Sequence, residues 1–255
     1  MKVLVYHTPE EVPEGDLPDC AIAIDVLRAT STMAAAFDAG AASIHVFNDL
    51  DDLRKSSQAY PAAQRLLAGE RGGAKVEGFD LGNSPLDHTA ASSQGRHLFM
   101  STTNGTRCLR RIQTAPLVIT AALTTRRAVV DFLIEHQPAN TWLVGSGWEG
   151  TYSLEDTVCA GAIAHQLAQQ QNCNVKDIAG NDSAIAAVSL YEQWQDDLLS
   201  LMHHATHGQR LLRLCQEDDL HYCAQLDVLN LVPIQSEPGV LVLNSPVPDG
   251  LPEKP

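Results

Sequence analysis

Short apolar runs recur along this chain, each followed by a longer segment with apolar positions at helical spacing. The runs VLVYH (3–7), AIAIDV (21–26), SIHVF (43–47), RLLAGE (65–70), HLFMS (97–101), PLVITA (116–121) and NTWLVGS (140–146) are too short for helices and predict strands. Between them, STMAAAFDAGA, NDLDDLRKSSQAY, GTRCLRRIQ, TTRRAVVDFLIEHQ and SLEDTVCAGAIAHQLAQQ predict helices. Gly40 ends the first of these, and Asn48 or Asp49 opens the second. NSPLDHTAA predicts a helix start, with Ser84 as cap and Pro85 at the first helical position. Successive helices follow from Asp182 to about Leu226, and VLNLVPIQ and GVLVLN close the chain as strands.

Strands alternating with helices predict a layered α/β/α protein around a mostly parallel sheet. The second run is rich in Ile and Ala, as a strand buried on both faces would be. A short Ser-Glu-Pro-Gly turn joins the last two strands, which makes them antiparallel and the central sheet mixed. No linker divides the chain, so residues 1–245 are expected as a single α/β domain and 246–255 as a Pro-rich C-terminal tail.

One segment fits neither period. GERGGAKVEGFDLGNSP (69–85) is rich in glycine and places Glu70 and Arg71 side by side, where a long irregular loop is expected. It belongs with three other polar segments at predicted strand ends: DVLRATST (25–32), STTNGT (101–106) and GSGWEGTYSLED (145–156). In a parallel sheet, ligands bind beyond the carboxyl ends of the strands, where loops lead into helix N-termini. Hydroxyls, glycines and unpaired N–H groups there suit a tetrahedral oxyanion, and an arginine adds a forked contact. The candidates for substrate binding are Arg28, Thr30, Ser31, Thr32, Arg71, Thr102, Thr103, Asn104, Gly105, Thr106 and Gly147. Ser and Thr at such places also serve simply as helix caps; their recurrence at four strand ends favours a shared anion site.

Acidic side chains share these loops. An unpaired carboxylate at the end of an apolar strand is costly to bury, so Asp25 is expected to face a cation, an arginine or a cleft. Asp25, Glu70, Glu155 and Asp156 form a pool of oxygen ligands of the kind magnesium takes, and Asp25, Glu70 and Asp156 are also candidates for catalytic roles. A capping box between Ser153 and Asp156 accounts for one member of the Glu155–Asp156 pair but not both.

Composition narrows the classes. The net charge is −14, and the basic residues form no patch beyond Arg110-Arg111 and Arg126-Arg127, which argues against nucleic acid as a partner. No apolar run approaches the length of a membrane helix and the N-terminus has no signal-peptide character, so the expected compartment is the cytoplasm. Six scattered cysteines without a C-x-x-C pair are expected as free thiols. The P-loop, the nucleophile elbow and the zinc-protease motif are absent, and GSGWEG matches a dinucleotide fingerprint only loosely. His203, His204 and His207 lie in a helical stretch where packing or exposure explains them, and His88 is a minor candidate for proton transfer.

Taken together, DVLRATST, GERGG leading to GFDLGNSP, TTNGT and GWEGTYSLEDTVCAG resemble the 2-phosphosulfolactate phosphatase family of coenzyme M biosynthesis, in family order over residues 20 to 161. The resemblance implies a phosphoric monoester hydrolase that converts (R)-2-phospho-3-sulfolactate to 3-sulfolactate and phosphate with magnesium, on a family-specific α/β fold. The resemblance assigns no role to each residue. We expect Glu70 to help hold the metal, magnesium with Arg28 or Arg71 to neutralise the anionic group, and Asp25 or a metal-bound water to be the nucleophile, with Glu70 or Asp156 as the acid. A non-catalytic binding protein for a phosphorylated or sulfonated metabolite would need the arginines but not the carboxylates. A nucleotide-dependent enzyme would be built around GSGWEG. The apolar helices after residue 182 could support a homodimer.

Overall fold

The structure, a computed structural model, describes residues 1–243; the expected tail 246–255 lies outside them. In chain order, β1 (Lys2–Tyr6) and β2 (Cys20–Ile24) lead into α1 (Ala29–Asp38), then β3 (Ser43–Val46) and α2 (Leu50–Ser57). Next come β4 (Arg65–Arg71), the short β5 (Ala74–Lys75), α3 (Ala90–Ser93), β6 (His97–Ser101), α4 (Gly105–Ile112) and β7 (Leu117–Ala121). After α5 (Arg126–His136) and β8 (Asn140–Gly145), the long α6 (Leu154–Gln170) opens a run of helices. These are α7 (Val175–Ile178), α8 (Asp182–Trp194), α9 (Leu198–His204), α10 (Thr206–Arg213) and α11 (Glu217–Cys223), before β9 (Ile234–Glu237) and β10 (Val240–Val242).

The strands join in the order β1-β8-β2-β7-β9-β10-β3-β6-β4-β5. This is a layered α/β fold around a mixed sheet with two parallel portions. In one, β1 pairs with β8, β8 with β2, and β2 with β7, all parallel. In the other, β3, β6 and β4 run parallel. Between them lies the antiparallel β9–β10 hairpin, whose outer edges pair antiparallel with β7 and with β3. Three reversals in a row make the two parallel portions run in opposite senses. Sheet twist of roughly 20–25° per strand, accumulated from β2 to β6, swings their carboxyl ends back toward each other.

The two-sided burial of β2 follows from its alternation. Ile22 and Ile24 pack with Val158, Ile163 and Ala187 of α6 and α8, while Ala21 and Ala23 pack with Met33, Phe37 and Leu109 of α1 and α4. Large side chains face the thick helical layer; alanines let α1 and α4 approach closely on the other side.

Three local expectations change. GERGG is not a loose excursion: β4 runs on through Arg71, and Gly72-Gly73 turns it back into β5, both glycines adopting left-handed backbone (φ +63° and +82°). The segment at Ser84 makes only a single 3-10 turn, Pro85–Asp87, before the four-residue α3. Residues 228–233 form no strand, though the Leu229 N–H donates to the Thr124 carbonyl and the Pro233 carbonyl accepts the Thr120 N–H; the sheet takes up the chain at Ile234. The described cysteines are all free thiols, as expected.

Candidate active site

All four polar strand-end loops reach one pocket. Asp25, Leu27 and Arg28 come from the loop after β2, Glu70 and Gly73 from the β4–β5 hairpin, and Thr102, Thr103 and Asn104 from the loop after β6. Trp148, from the loop after β8, adds the fourth. Asn83 and, unexpectedly, His207 and Arg210 of α10 complete the lining.

Asp25 sits at the bottom, 5% exposed. Its Oδ1 accepts the Ala29 N–H at 2.9 Å, fixing the carboxyl at the start of α1. Its Oδ2 lies beside Gly105, where an added Cβ would come within 2.9 Å of Oδ2 and 2.5 Å of the Ala29 Cβ. The residue at 105 is glycine because the two loops touch there. Burial lifts the Asp25 carboxyl to about 6, the Ala29 N–H opposing this and Glu70 reinforcing it. Next to it, Asn104 provides no side-chain cap to α4, the Thr102 hydroxyl accepts the Thr106 N–H at 3.3 Å, and the Gly105 N–H of that helix start is left to an anion.

Glu70 ties the hairpin to the β6 loop. Its Oε1 accepts both the N–H (3.0 Å) and the hydroxyl (2.7 Å) of Thr103, and its Oε2 accepts the Gly73 N–H at 2.9 Å. Arg71, the next residue on the strand, points the other way, donating to the Asn48 carbonyl and the Ser101 hydroxyl. Strand alternation separates the adjacent charges, and Arg71 is not in the pocket lining.

The remaining expected residues hold the loops. Thr30 hydrogen-bonds the Asp25 backbone at both N–H and carbonyl, Ser31 donates to the Val26 carbonyl, and Thr32 donates to the Asn83 carbonyl. Thr106 donates its hydroxyl to the Thr102 carbonyl. Asp156 gathers three backbone N–H groups, from Val26 on Oδ1 and from Ser146 and Gly147 on Oδ2, so it fastens the β2 loop to the β8 loop. The Ser153 hydroxyl accepts the Asp156 N–H as a cap, but the Asp156 carboxylate does not close the box. Glu155 is buried behind the pocket with its Oε1 3.7 Å from His207 Nδ1. Burial raises Glu155 to about 7 and pushes Asp156 well up, where Glu155 and Asp25 add to the effect.

The helical side was not legible as a site. Arg28 pairs with Asp219 of α11, both buried, and the Ser84 hydroxyl donates to the second Asp219 oxygen at 2.6 Å. His207 stacks on Trp148, with ring centroids 3.8 Å apart and planes at 22°. Its imidazole is held down to about 3, first by burial and then by Arg28 and Arg210, so it is neutral near pH 7. Arg210 lies over the Trp148 ring. The signal in the sequence was slight: a His and an Arg three apart on one face of a short helix.

The donor set suits a hard cation. Asn83 Oδ1 is a buried acceptor without a hydrogen-bond partner, and Asp25 Oδ2 faces the same pocket. Among the described residues no group of three or more His, Cys, Asp or Glu is placed to enclose a metal. Asp25 and Asn83 offer two protein oxygens, and magnesium takes one or two beside waters and phosphate oxygens.

Among the described residues, no helix is long and apolar enough to cross a membrane. A family model described as 2-phosphosulpholactate phosphatase matches residues 6–238. Proteins named "Probable 2-phosphosulfolactate phosphatase" are similar over nearly their full lengths. Those of Trichormus variabilis and Nostoc punctiforme are each 59% identical to this chain, across 94% of it and 98% of theirs. That of Thermosynechococcus vestitus is 58% identical, across 94% of this chain and 99% of its own.

Proposed function

Because the chain belongs to the 2-phosphosulpholactate phosphatase family, we propose that it hydrolyses (R)-2-phospho-3-sulfolactate to 3-sulfolactate and inorganic phosphate, with magnesium. The observation that carries this reading is the meeting of Asp25 Oδ2 with Gly105 at the start of α4, beside the buried Arg28. A carboxylate, a helix start and a guanidinium then line one pocket.

Phosphate-ester hydrolysis needs the phosphoryl charge neutralised, a water placed in line with the ester oxygen, and a site that excludes other water. Arg28 supplies the charge-assisted contact, oriented by its pair with Asp219. The Gly105 N–H at the start of α4 binds a further phosphoryl oxygen. Asp25, anchored through Oδ1, presents Oδ2 to orient the attacking water. Water adds to phosphorus as the ester P–O bond breaks, and the ester oxygen leaves as the hydroxyl of sulfolactate. Asp25 and Asn83 would hold magnesium, which when bound supplies further charge neutralisation on the phosphoryl group. The Trp148–His207 stack walls the pocket against bulk solvent.

The test is phosphate release from 2-phospho-3-sulfolactate, with magnesium and after its removal by EDTA, beside 2-phospholactate and phosphoglycolate. Magnesium-dependent release that favours the sulfonated ester is expected. A folded sample that releases phosphate from none of the three would overturn the reading in favour of a binding protein.

A further inference from the structure

The two arginines in the pocket differ in status. Arg28 is buried and its charge is compensated by Asp219. Arg210 is half-exposed at the rim, and among the described residues no carboxylate pairs with it. Its Nη2 donates at 2.5 Å to a neutral group, the Gly72 carbonyl at the tip of the β4–β5 hairpin, and its guanidinium lies 5.5 Å from the Trp148 ring centroid. The hairpin tip is pressed against this arginine: a Cβ at Gly73 would lie 3.5 Å from Arg210 Nη2 and 2.6 Å from Leu214 Cδ1. The enclosed space is small, about 20 Å³, which is room for a water molecule. The Arg210–Gly72 bond spans the rim between α10 and the hairpin.

We propose that Arg210 is the specificity-determining residue for the sulfonate, exchanging its bond to the Gly72 carbonyl for the substrate's sulfonate oxygens on entry. This rests on the phosphatase reading above. Of the substrate's three anionic groups, the phosphate goes to Asp25, Arg28 and α4. The sulfonate stands one methylene farther from the phosphorylated carbon than the carboxylate does, so it is the group that reaches the rim. A guanidinium is weakly hydrated and planar, so it sheds water readily for an oxyanion of low hydration, and the Trp148 ring beneath it supports it at the rim. Substituting the charged contact for the carbonyl bond also opens the rim only to a ligand that carries the second anion.

The experiment compares wild type, Arg210→Gln, Arg210→Lys and, as a charge control on the same helix, Arg213→Gln. Kinetics with 2-phospho-3-sulfolactate and 2-phospholactate are paired with calorimetric titration of 3-sulfolactate, each sample first checked for folding by circular dichroism. Arg210→Gln is expected to lower kcat/KM for the sulfonated ester on the order of 10- to 100-fold, the size of a lost charge-assisted contact, with about threefold or less for 2-phospholactate. Lysine restores part of the loss, Arg213→Gln leaves the preference intact, and 3-sulfolactate affinity falls with the kinetic ratio. Equal losses on both esters would mean that Arg210 only clasps the hairpin, and an unchanged preference would remove it from recognition; either overturns the proposal. If wild type hydrolyses neither ester, the phosphatase reading fails, and the titration still decides on Arg210: equal 3-sulfolactate affinity in wild type and Arg210→Gln overturns its role.

Discussion

The pocket has two walls built by different means. One consists of strand ends: Asp25, Glu70 and Thr102–Asn104 leave their strands at places the sheet dictates, and backbone N–H groups lock their side chains. The other consists of helices that the chain adds late, α10 and α11; it reaches the pocket through Arg210 and His207, with Asp219 paired to Arg28. The first wall positions chemistry by topology. The second adjusts it, since a rotamer change in Arg210 moves a charge while the fold stays still. On the proposed reading, reaction and specificity would sit on parts of the molecule with different freedom to move.

The comparison breaks hardest at Asp25. Asp25→Asn keeps the Ala29 anchor but removes the carboxylate charge, and turnover is expected to fall about a thousandfold or more, with the thermal midpoint unchanged or raised. Phosphate release and a melting curve check both halves of that statement. Next in size is the bond between the walls. Asp219→Ala leaves Arg28 buried without its partner, for an expected loss of about 3–5 kcal/mol in denaturant unfolding. A drop of roughly tenfold in kcat/KM should accompany it, because Arg28 loses its orientation. If stability falls and catalysis per folded molecule does not, the helical wall is scaffolding only.

Glu155 sharpens the contrast through pH. Its folded carboxyl titrates at about 7, above the usual carboxylate range, because burial penalises the charged form. The native state therefore binds a proton more tightly than the unfolded chain. The penalty is fully present above about pH 7 and is relieved as pH falls toward the unfolded value. Between pH 8 and 5.5 Glu155, Asp25 and Asp156 each add stability as pH falls, while the buried neutral His207 and His88 act the other way. The Glu155 contribution is therefore read as the difference in slope between wild type and Glu155→Gln without added metal. Glu155→Gln should raise the pH 8 midpoint by about 2–4 °C for each kcal/mol relieved and flatten that slope, read by scanning calorimetry. The smallest effect belongs to Arg71. Arg71→Gln loses contacts to Asn48 and Ser101 outside the pocket, so kcat/KM should change by about twofold or less.

The same contrast governs what could be read from the sequence. The strand-end wall was legible because its signals are local: Asp25 stands at the end of an apolar run, and Gly105 opens a helix within a hydroxyl-rich turn. Local signals misled where strand alternation decides, since adjacent Glu70 and Arg71 look alike in sequence and face opposite ways. Asp156 looked like a metal ligand or an acid, but its oxygens are occupied by N–H groups of the distant β2 loop and of its own β8 loop. The Arg28–Asp219 pair spans 191 positions, and no window of the sequence contains both. The β9–β10 turn was clear, yet its insertion between the two parallel portions depends on which edges remain open after those portions form.

That insertion sets an order in time. Among the described strands, the hairpin at 234–242 alone joins the two parallel portions edge to edge. Each portion can gather through its own nearer contacts, but the register between them waits for a segment that lies far along the chain. Pairings of such long sequence separation form slowly, because the intervening chain must be ordered first. During synthesis the nascent protein therefore carries two open sheet edges, at β7 and β3, and the pocket between the portions is completed only when the closing hairpin docks.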